Sequence, residues 1–70
     1  MTLRFHKKIY PKAAINEAIE AFEGLVSASV NRDGDYFVVD LVAQDDGDPI
    51  ELAGEFRNFV LGTAISLRGE

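Results

Sequence analysis

The chain has no cysteine, and this absence removes several kinds of chemistry at once. No disulfide, no thiol nucleophile and no cysteine-ligated zinc ion or iron–sulfur cluster can form within it. Histidine is nearly absent too, since His6 is the only one. A single histidine lacks the further nitrogen or sulfur ligands that usually complete a zinc site. We therefore expect no metal and no organic cofactor.

Basic charge and long apolar runs are also scarce. Seven lysine and arginine residues stand against twelve aspartate and glutamate residues, so the formal net charge is −5 at pH 7. Nucleic-acid phosphates would repel such a chain, and nucleic acid is not an expected partner. No apolar stretch is long enough to span a membrane, and the opening segment MTLRFHKKIY lacks the apolar core of a signal peptide. These features predict a cytoplasmic protein with no membrane partner.

The remaining residues contain no recognisable catalytic arrangement. Ser27, Ser29 and Ser66 have no histidine at a motif spacing, and no G-x-S-x-G segment is present. The glycines are isolated and form no phosphate-binding loop. The QDDGDPIE segment lacks the alternating ligands and distal glutamate of a calcium loop, although it carries four carboxylates, Asp45, Asp46, Asp48 and Glu51. We therefore expect a chain that is not an enzyme, and the catalytic alternative is a carboxylate site around Asp40.

Seventy residues, 47% of them hydrophobic, predict one small domain over residues 1–70. A first strand is predicted over residues 2–9, with Leu3, Phe5 and Ile9 on its inner face. The basic residues near the start are expected to form a solvated edge of the sheet. They are Arg4, His6, Lys7, Lys8 and Lys12. A domain this small gains stability from a partner or from self-association.

A helix is predicted after the first strand. Pro11 suits its first turn, and Gly24 suits its end because glycine readily takes a positive φ. The apolar residues between them recur at helical spacing: Ala14, Ile15, Ala18, Ile19 and Phe22.

The segment SASVNRDGDYFVVDLVA predicts a hairpin with a two-residue turn at Asp33-Gly34. In that register Val30 lies opposite Phe37. One face of the hairpin is then apolar and packs against the helices, while the other face is largely solvated. The residues on the covered face are Ala28, Val30, Phe37, Val39 and Leu41.

A second helix is predicted from Asp48 to about Leu67. Asp48 is a suitable N-cap, and Pro49 suits the first helical position. The element order is then β-α-β-β-α, an α+β fold. The strongly apolar third strand is placed in the centre of a three-stranded antiparallel sheet, and both helices pack on one face. A sheet with the first strand beside the second is the alternative order.

The second helix is apolar on two sides. At 100° per residue, one arc is predicted to meet the sheet and the first helix. It contains Leu52, Phe56, Phe59, Val60, Thr63 and Leu67. Leu61 and Ile65 lie on the opposite side, beside Gly54 and Asn58. We expect Gly54, Asn58, Leu61 and Ile65 to form a contact surface for a second copy or for a partner enzyme, since the first helix keeps its own outer face charged.

Three segments resemble the HxsD proteins of the His-Xaa-Ser system. KKIYPKAAINEAIEAF is similar to the opening of that family, where a strand ending in an Ile-Tyr pair leads into an Ala-rich helix. VVDLVAQDDGD is similar to its charged strand-to-helix stretch, and GEFRNFVLGTAISLR to its Gly-Glu-Phe segment that ends in Leu-Arg. The resemblance spans nearly the whole chain and keeps the element order. Phe59 departs from it, because that family position is acidic or polar.

The resemblance implies an accessory protein that is encoded with a radical SAM enzyme and serves the modification of a peptide carrying His-Xaa-Ser repeats. Since the cysteines that bind a radical SAM cluster are absent, this chain would be the companion and not the catalyst. The first hypothesis is therefore a non-catalytic binding module that contacts the enzyme or its peptide substrate. The alternative is a small homodimeric domain with a regulatory or structural role.

Overall fold

The computed structural model describes residues 1–44 and 47–69. Its elements are β1 (Thr2–His6), α1 (Lys12–Ala21), β2 (Val26–Asp33), β3 (Tyr36–Ala43) and α2 (Pro49–Gly69). The sheet order is β1-β3-β2, and β3 is antiparallel to both neighbours. The predicted α+β fold with a central third strand is confirmed, and the alternative order with β1 beside β2 is wrong.

The core lies between one face of the sheet and the two helices. The sheet residues buried in it occupy alternate positions, as the two-residue period of a strand requires. They are Leu3, Phe5, Val26, Val39 and Leu41. Phe5 and Phe56 from α2 are fully buried, with ring centroids 6.4 Å apart. Both helices therefore cover the same face, as predicted.

The first strand is shorter than predicted, because it ends at His6. The chain then turns, with the amides of Ile9 and Tyr10 both donating to the carbonyl of His6. Ile9 is 47% exposed and does not continue the inner face of the strand. Pro11 directly precedes α1 instead of lying in its first turn. Its fixed φ of −66° still suits this place, since no amide of its own needs a partner.

The hairpin turn lies one residue later than predicted. Asp33 pairs with Tyr36, so the turn residues are Gly34 and Asp35 and not Asp33 and Gly34. Gly34 has a φ of +60°, which the first central position of a type I′ or II′ turn requires. Glycine therefore occupies the first central position of the turn instead of the second.

This shift changes the pairs but keeps the faces. Val30 pairs with Val39 and not with Phe37, and Phe37 pairs with Arg32. Moving the turn by one residue moves every pairing by two, so each side chain stays on its predicted face. Val39 and Leu41 are buried. Burial weakens toward the edge and the turn, where the half-buried members of the predicted set pack against the core: Ala28, Val30 and Phe37.

The second helix begins as predicted. The backbone amide of Ile50 donates to Asp48 Oδ1 at 3.0 Å, and the amide of Leu52 donates to the carbonyl of Asp48. These bonds occupy amides that otherwise have no partner inside a helix. Glu51 lies in the first turn, where its negative charge suits the positive end of the helix dipole.

The inner side of α2 is rotated relative to the prediction. Its buried residues are Ala53, Phe56, Val60 and Ala64. The small alanines allow the helix backbone to come close to the layer beneath, and this turns the buried arc by about half of the 100° residue step. Phe59, at one margin of the predicted arc, is therefore 39% exposed, in contrast to the prediction. Leu67 lies at an angle between those of Phe56 and Val60. It is nevertheless 49% exposed, because it lies near the end of the helix, beyond the last buried residue, Ala64. Phe59 still packs edge-on against the Phe22 ring.

Candidate functional site

The four residues predicted to contact a partner share one exposed side of α2. Gly54, Asn58, Leu61 and Ile65 are all exposed, and we call them the outer α2 surface. Leu61 is 40% exposed and Ile65 58%. A Cβ atom added at Gly54 would meet nothing within 4 Å, so another backbone has room to approach there. The surface offers two aliphatic side chains next to an open glycine.

The other helix differs in its exposed side chains. The outer face of α1 presents Asn16, Glu17 and Glu20 to solvent. This is the usual distribution for a helix that covers a core on one side only. The two helices therefore differ, since α1 exposes no large aliphatic side chain. Outside the helices, Ile9, Leu25 and Val42 are also exposed.

The uncovered face of the sheet holds a polar cluster from β1 and β3. Thr2 Oγ1 donates to Asp40 Oδ1 at 2.7 Å. The guanidinium of Arg4 lies 4.7 Å from the centre of the Tyr36 ring, and the His6 ring packs edge-on against the same tyrosine. Asp40 thus has a structural partner, and the catalytic hypothesis built on it stays a prediction.

His6 lies on the uncovered face, as predicted. Its Nδ1 accepts a hydrogen bond from the backbone amide of Lys8 at 3.2 Å. An amide donor at this nitrogen requires a lone pair there, so the contact favours the imidazole with its proton on Nε2. His6 therefore helps to close the turn that ends β1.

The basic residues near the start lie beside acidic residues of the hairpin. Arg4 Nη1 is 3.4 Å from Asp33 Oδ2, and Lys7 Nζ is 3.4 Å from Asp35 Oδ1. Arg4, Asp33 and Asp35 are exposed and Lys7 is partly exposed, and such surface pairs contribute about 0–1 kcal/mol each. The pairing neutralises part of the basic cluster, as expected for a solvated sheet edge.

The acidic segment before α2 is only partly described. Asp45 and Asp46 lie outside the described residues, and Asp48 is engaged at the helix start. Within residues 1–44 and 47–69, no three His, Asp or Glu side chains come together as metal ligands would. The expectation of no metal and no organic cofactor stays a prediction.

A groove beside β2 was not found by sequence reasoning. It has a volume of about 390 Å³ and lies between the end of α1 and the start of β2. Its walls combine apolar, polar and acidic residues: Ile19, Glu20, Glu23, Gly24, Val26, Ser27, Ala28 and Gln44. The available signal was the short connection around Gly24, which holds the helix end against the strand.

Across the described ranges, no helix combines the length and the apolar character that crossing a membrane requires. Comparisons with models of protein families, with curated proteins and with solved structures found no match to the chain.

Proposed function

We propose that the chain is a non-catalytic binding module of a cytoplasmic peptide-modifying system of the radical SAM type, where it contacts the enzyme or its peptide substrate. The observation that carries this proposal is the outer α2 surface. Leu61 and Ile65 remain exposed on a helix whose other side supplies the core of the domain. The resemblance to HxsD proteins supplies the class of system.

The outer α2 surface has the composition of a small protein-contact site. Leu61 and Ile65 lie one turn apart, and Gly54 and Asn58 extend the same side toward the start of the helix. Full burial of an aliphatic side chain contributes about 1.5–3 kcal/mol. Because about half of each side chain is already covered, burying both in a partner contributes roughly 2–3 kcal/mol.

The test replaces the two aliphatics by lysine. A tagged Leu61→Lys, Ile65→Lys variant is compared with the wild-type chain for capture of proteins from the native host, with identification by mass spectrometry. The wild-type chain is expected to retain a radical SAM enzyme or a His/Ser-rich peptide. The variant is expected to lose at least about nine-tenths of it, because each lysine must be desolvated in the contact.

The matched control is Gly62→Lys, Ser66→Lys. It places two lysines on the same helix with the same spacing, at exposed positions on another side, and a Cβ at Gly62 meets nothing within 4 Å. Capture by this control is expected to equal that of the wild-type chain. Equal capture by both double variants would contradict the role of the outer α2 surface. Absence of both partner classes from the wild-type capture would contradict the proposed system.

A further inference from the structure

The outer edge of β2 carries backbone groups that point away from the sheet. On the other side of β3, Met1 and Leu41 exchange backbone hydrogen bonds at 2.7 Å, and the Lys7 amide donates to the carbonyl of Asp35. Odd-numbered residues of β3 therefore bond toward β1, and even-numbered residues bond toward β2. In the observed register, these even-numbered residues of β3 pair with odd-numbered residues of β2.

The even-numbered residues of β2 thus direct their N–H and C=O groups outward. They are Ala28, Val30 and Arg32. Val26, at the start of the strand, is also even-numbered, but its amide is not free because it already donates to the carbonyl of Phe22. Among residues 1–44 and 47–69, no strand lies on this outer side. An extended segment can therefore pair with β2 from Ala28 onward.

This edge lacks most of the features that usually prevent strand pairing, and its charged residues, Arg32 and Asp33, stand only at its last two positions. The strand Val26–Asp33 contains no proline and no lysine, and it pairs with β3 without a bulge over its full length. The other edge strand, β1, is shorter and presents Arg4 and His6. Long, regular edges without such protection are templates for a further strand.

Charge distribution around this edge identifies what pairs with it. The groove at the start of β2 has two carboxylates in its wall, Glu20 and Glu23, and no basic residue. At the other end of the strand, Arg32 is exposed and belongs to the same face as Ala28 and Val30. Its guanidinium lies 5.5 Å from the centre of the Phe37 ring, and its Nε donates to the carbonyl of Gly34.

We propose that two copies of the chain pair through β2, antiparallel, to form one continuous six-stranded sheet. Val30 lies opposite Val30 of the second copy, and Arg32 lies opposite Ala28. This register uses only the outward backbone groups. It also brings Arg32 of each copy to the groove of the other, where Glu20 and Glu23 supply the opposite charge. The contact closes on itself by two-fold symmetry.

A second copy suits this edge better than a head-to-tail arrangement. Pairing β1 of one copy with β2 of the next would leave one free β1 edge and one free β2 edge on every assembly, and the assembly would extend without limit. It would also not use the match between Arg32 and the acidic groove. The β2 dimer uses none of the outer α2 residues, so it goes beyond the proposed function and is compatible with it.

The first experiment measures mass by sedimentation equilibrium on the untagged chain. The wild-type chain is expected to reach twice its monomer mass of 7.7 kDa as its concentration rises toward about 1 mM. Arg32→Glu places like charges in each groove and is expected to weaken the dimer at least about tenfold. Lys12→Glu, the same charge change at an exposed position on α1, is the control and is expected to leave the dimer intact.

A charge exchange separates this contact from a general effect of charge. Glu20→Arg, Glu23→Arg is expected to weaken the dimer like Arg32→Glu, and the triple variant that combines all three changes is expected to restore it. Val30→Pro removes one outward N–H, which edge strands tolerate, and is also expected to give a monomer. Circular dichroism verifies the fold of each variant.

Three results would overturn the proposal. The first is a wild-type chain that stays monomeric over the whole concentration range. The second is a dimer that survives both Arg32→Glu and Val30→Pro in folded form. The third is a dimer lost only in Leu61→Lys, Ile65→Lys, which would assign self-association to the outer α2 surface. If Leu61→Lys, Ile65→Lys loses partner capture but keeps the β2 dimer, that result supports the proposed function independently of the dimer.

Discussion

At the residue scale, Phe56 lies between two other phenylalanine rings in the core of the domain. Phe56 is fully buried, and its ring lies 5.5 Å from Phe22 and 6.4 Å from Phe5. One side chain thus joins α2 to the end of α1 and to β1. Edge-on and tilted aromatic pairs of this kind stabilise a core beyond the area that they bury. The sequence predicted that Phe56 faces inward but not that it joins these elements.

Phe56→Ala is expected to lower the free energy of unfolding by about 3–5 kcal/mol, since it leaves a cavity in the centre of the core. Phe37→Ala, near the hairpin turn, is expected to lower it by roughly 1–2 kcal/mol, because Phe37 is only half-buried. Urea unfolding of the two variants provides a matched comparison of the same substitution. Equal losses, or a larger loss for Phe37→Ala, would mean that the helices cover the turn end of the sheet.

At the element scale, the start of α2 depends on a side chain that the sequence identified correctly. Asp48→Ala is expected to destabilise the domain by about 1 kcal/mol, because the Ile50 amide loses its acceptor. Asp48→Asn keeps an acceptor at the same place and is the control, with a loss of a few tenths of a kcal/mol. Thermal unfolding followed by circular dichroism measures both. An unchanged midpoint for Asp48→Ala would show that this cap does not stabilise the helix.

The sequence predicted those features of the fold that depend on a few neighbouring residues. The Asp48-Pro49 pair predicted the start of α2. The alternation of apolar and polar residues in β3 predicted which side chains lie on the covered face of the sheet. Both signals lie within a few residues of the chain. The turn position was not predictable in the same way. Asp33-Gly34 and Gly34-Asp35 both give a hairpin with the same faces, and the choice between them depends on backbone angles at Gly34 and on pairing along the whole strand.

The candidate surfaces also differ in whether local sequence rules predict them. Exposure of Leu61 and Ile65 followed from helical periodicity, which counts residues within one element. The groove with Glu20 and Glu23 could not be predicted from periodicity, since it forms where the end of α1 meets β2 and depends on how two elements pack. Phe59 was misplaced for the same reason: Ala53 and Ala64 set the rotation of α2 only through contact with its neighbours. Leu67 was misplaced because periodicity does not show where the core ends along the helix, and the last buried residue is Ala64.

At the scale of the whole molecule, one domain presents two separate surfaces. The edge of β2 offers backbone groups and charge, and the outer α2 surface offers aliphatic side chains. A core of this size provides little stability to spare, so the self-association proposed for the β2 edge would add to the stability of the fold. Assembly and folding are then linked, because the dimer binds the native chain and not the unfolded one.

This linkage predicts that the thermal midpoint depends on concentration. For the wild-type chain, the midpoint is expected to rise by several degrees over a hundredfold increase in concentration, once that range spans the dissociation constant of the dimer. For Arg32→Glu, the rise over the same range is expected to be clearly smaller, because the dimer of this variant is weaker. Lys12→Glu is expected to follow the wild-type chain. A midpoint independent of concentration in all three proteins would show that the fold is stable without the second copy and that the β2 edge adds nothing to it.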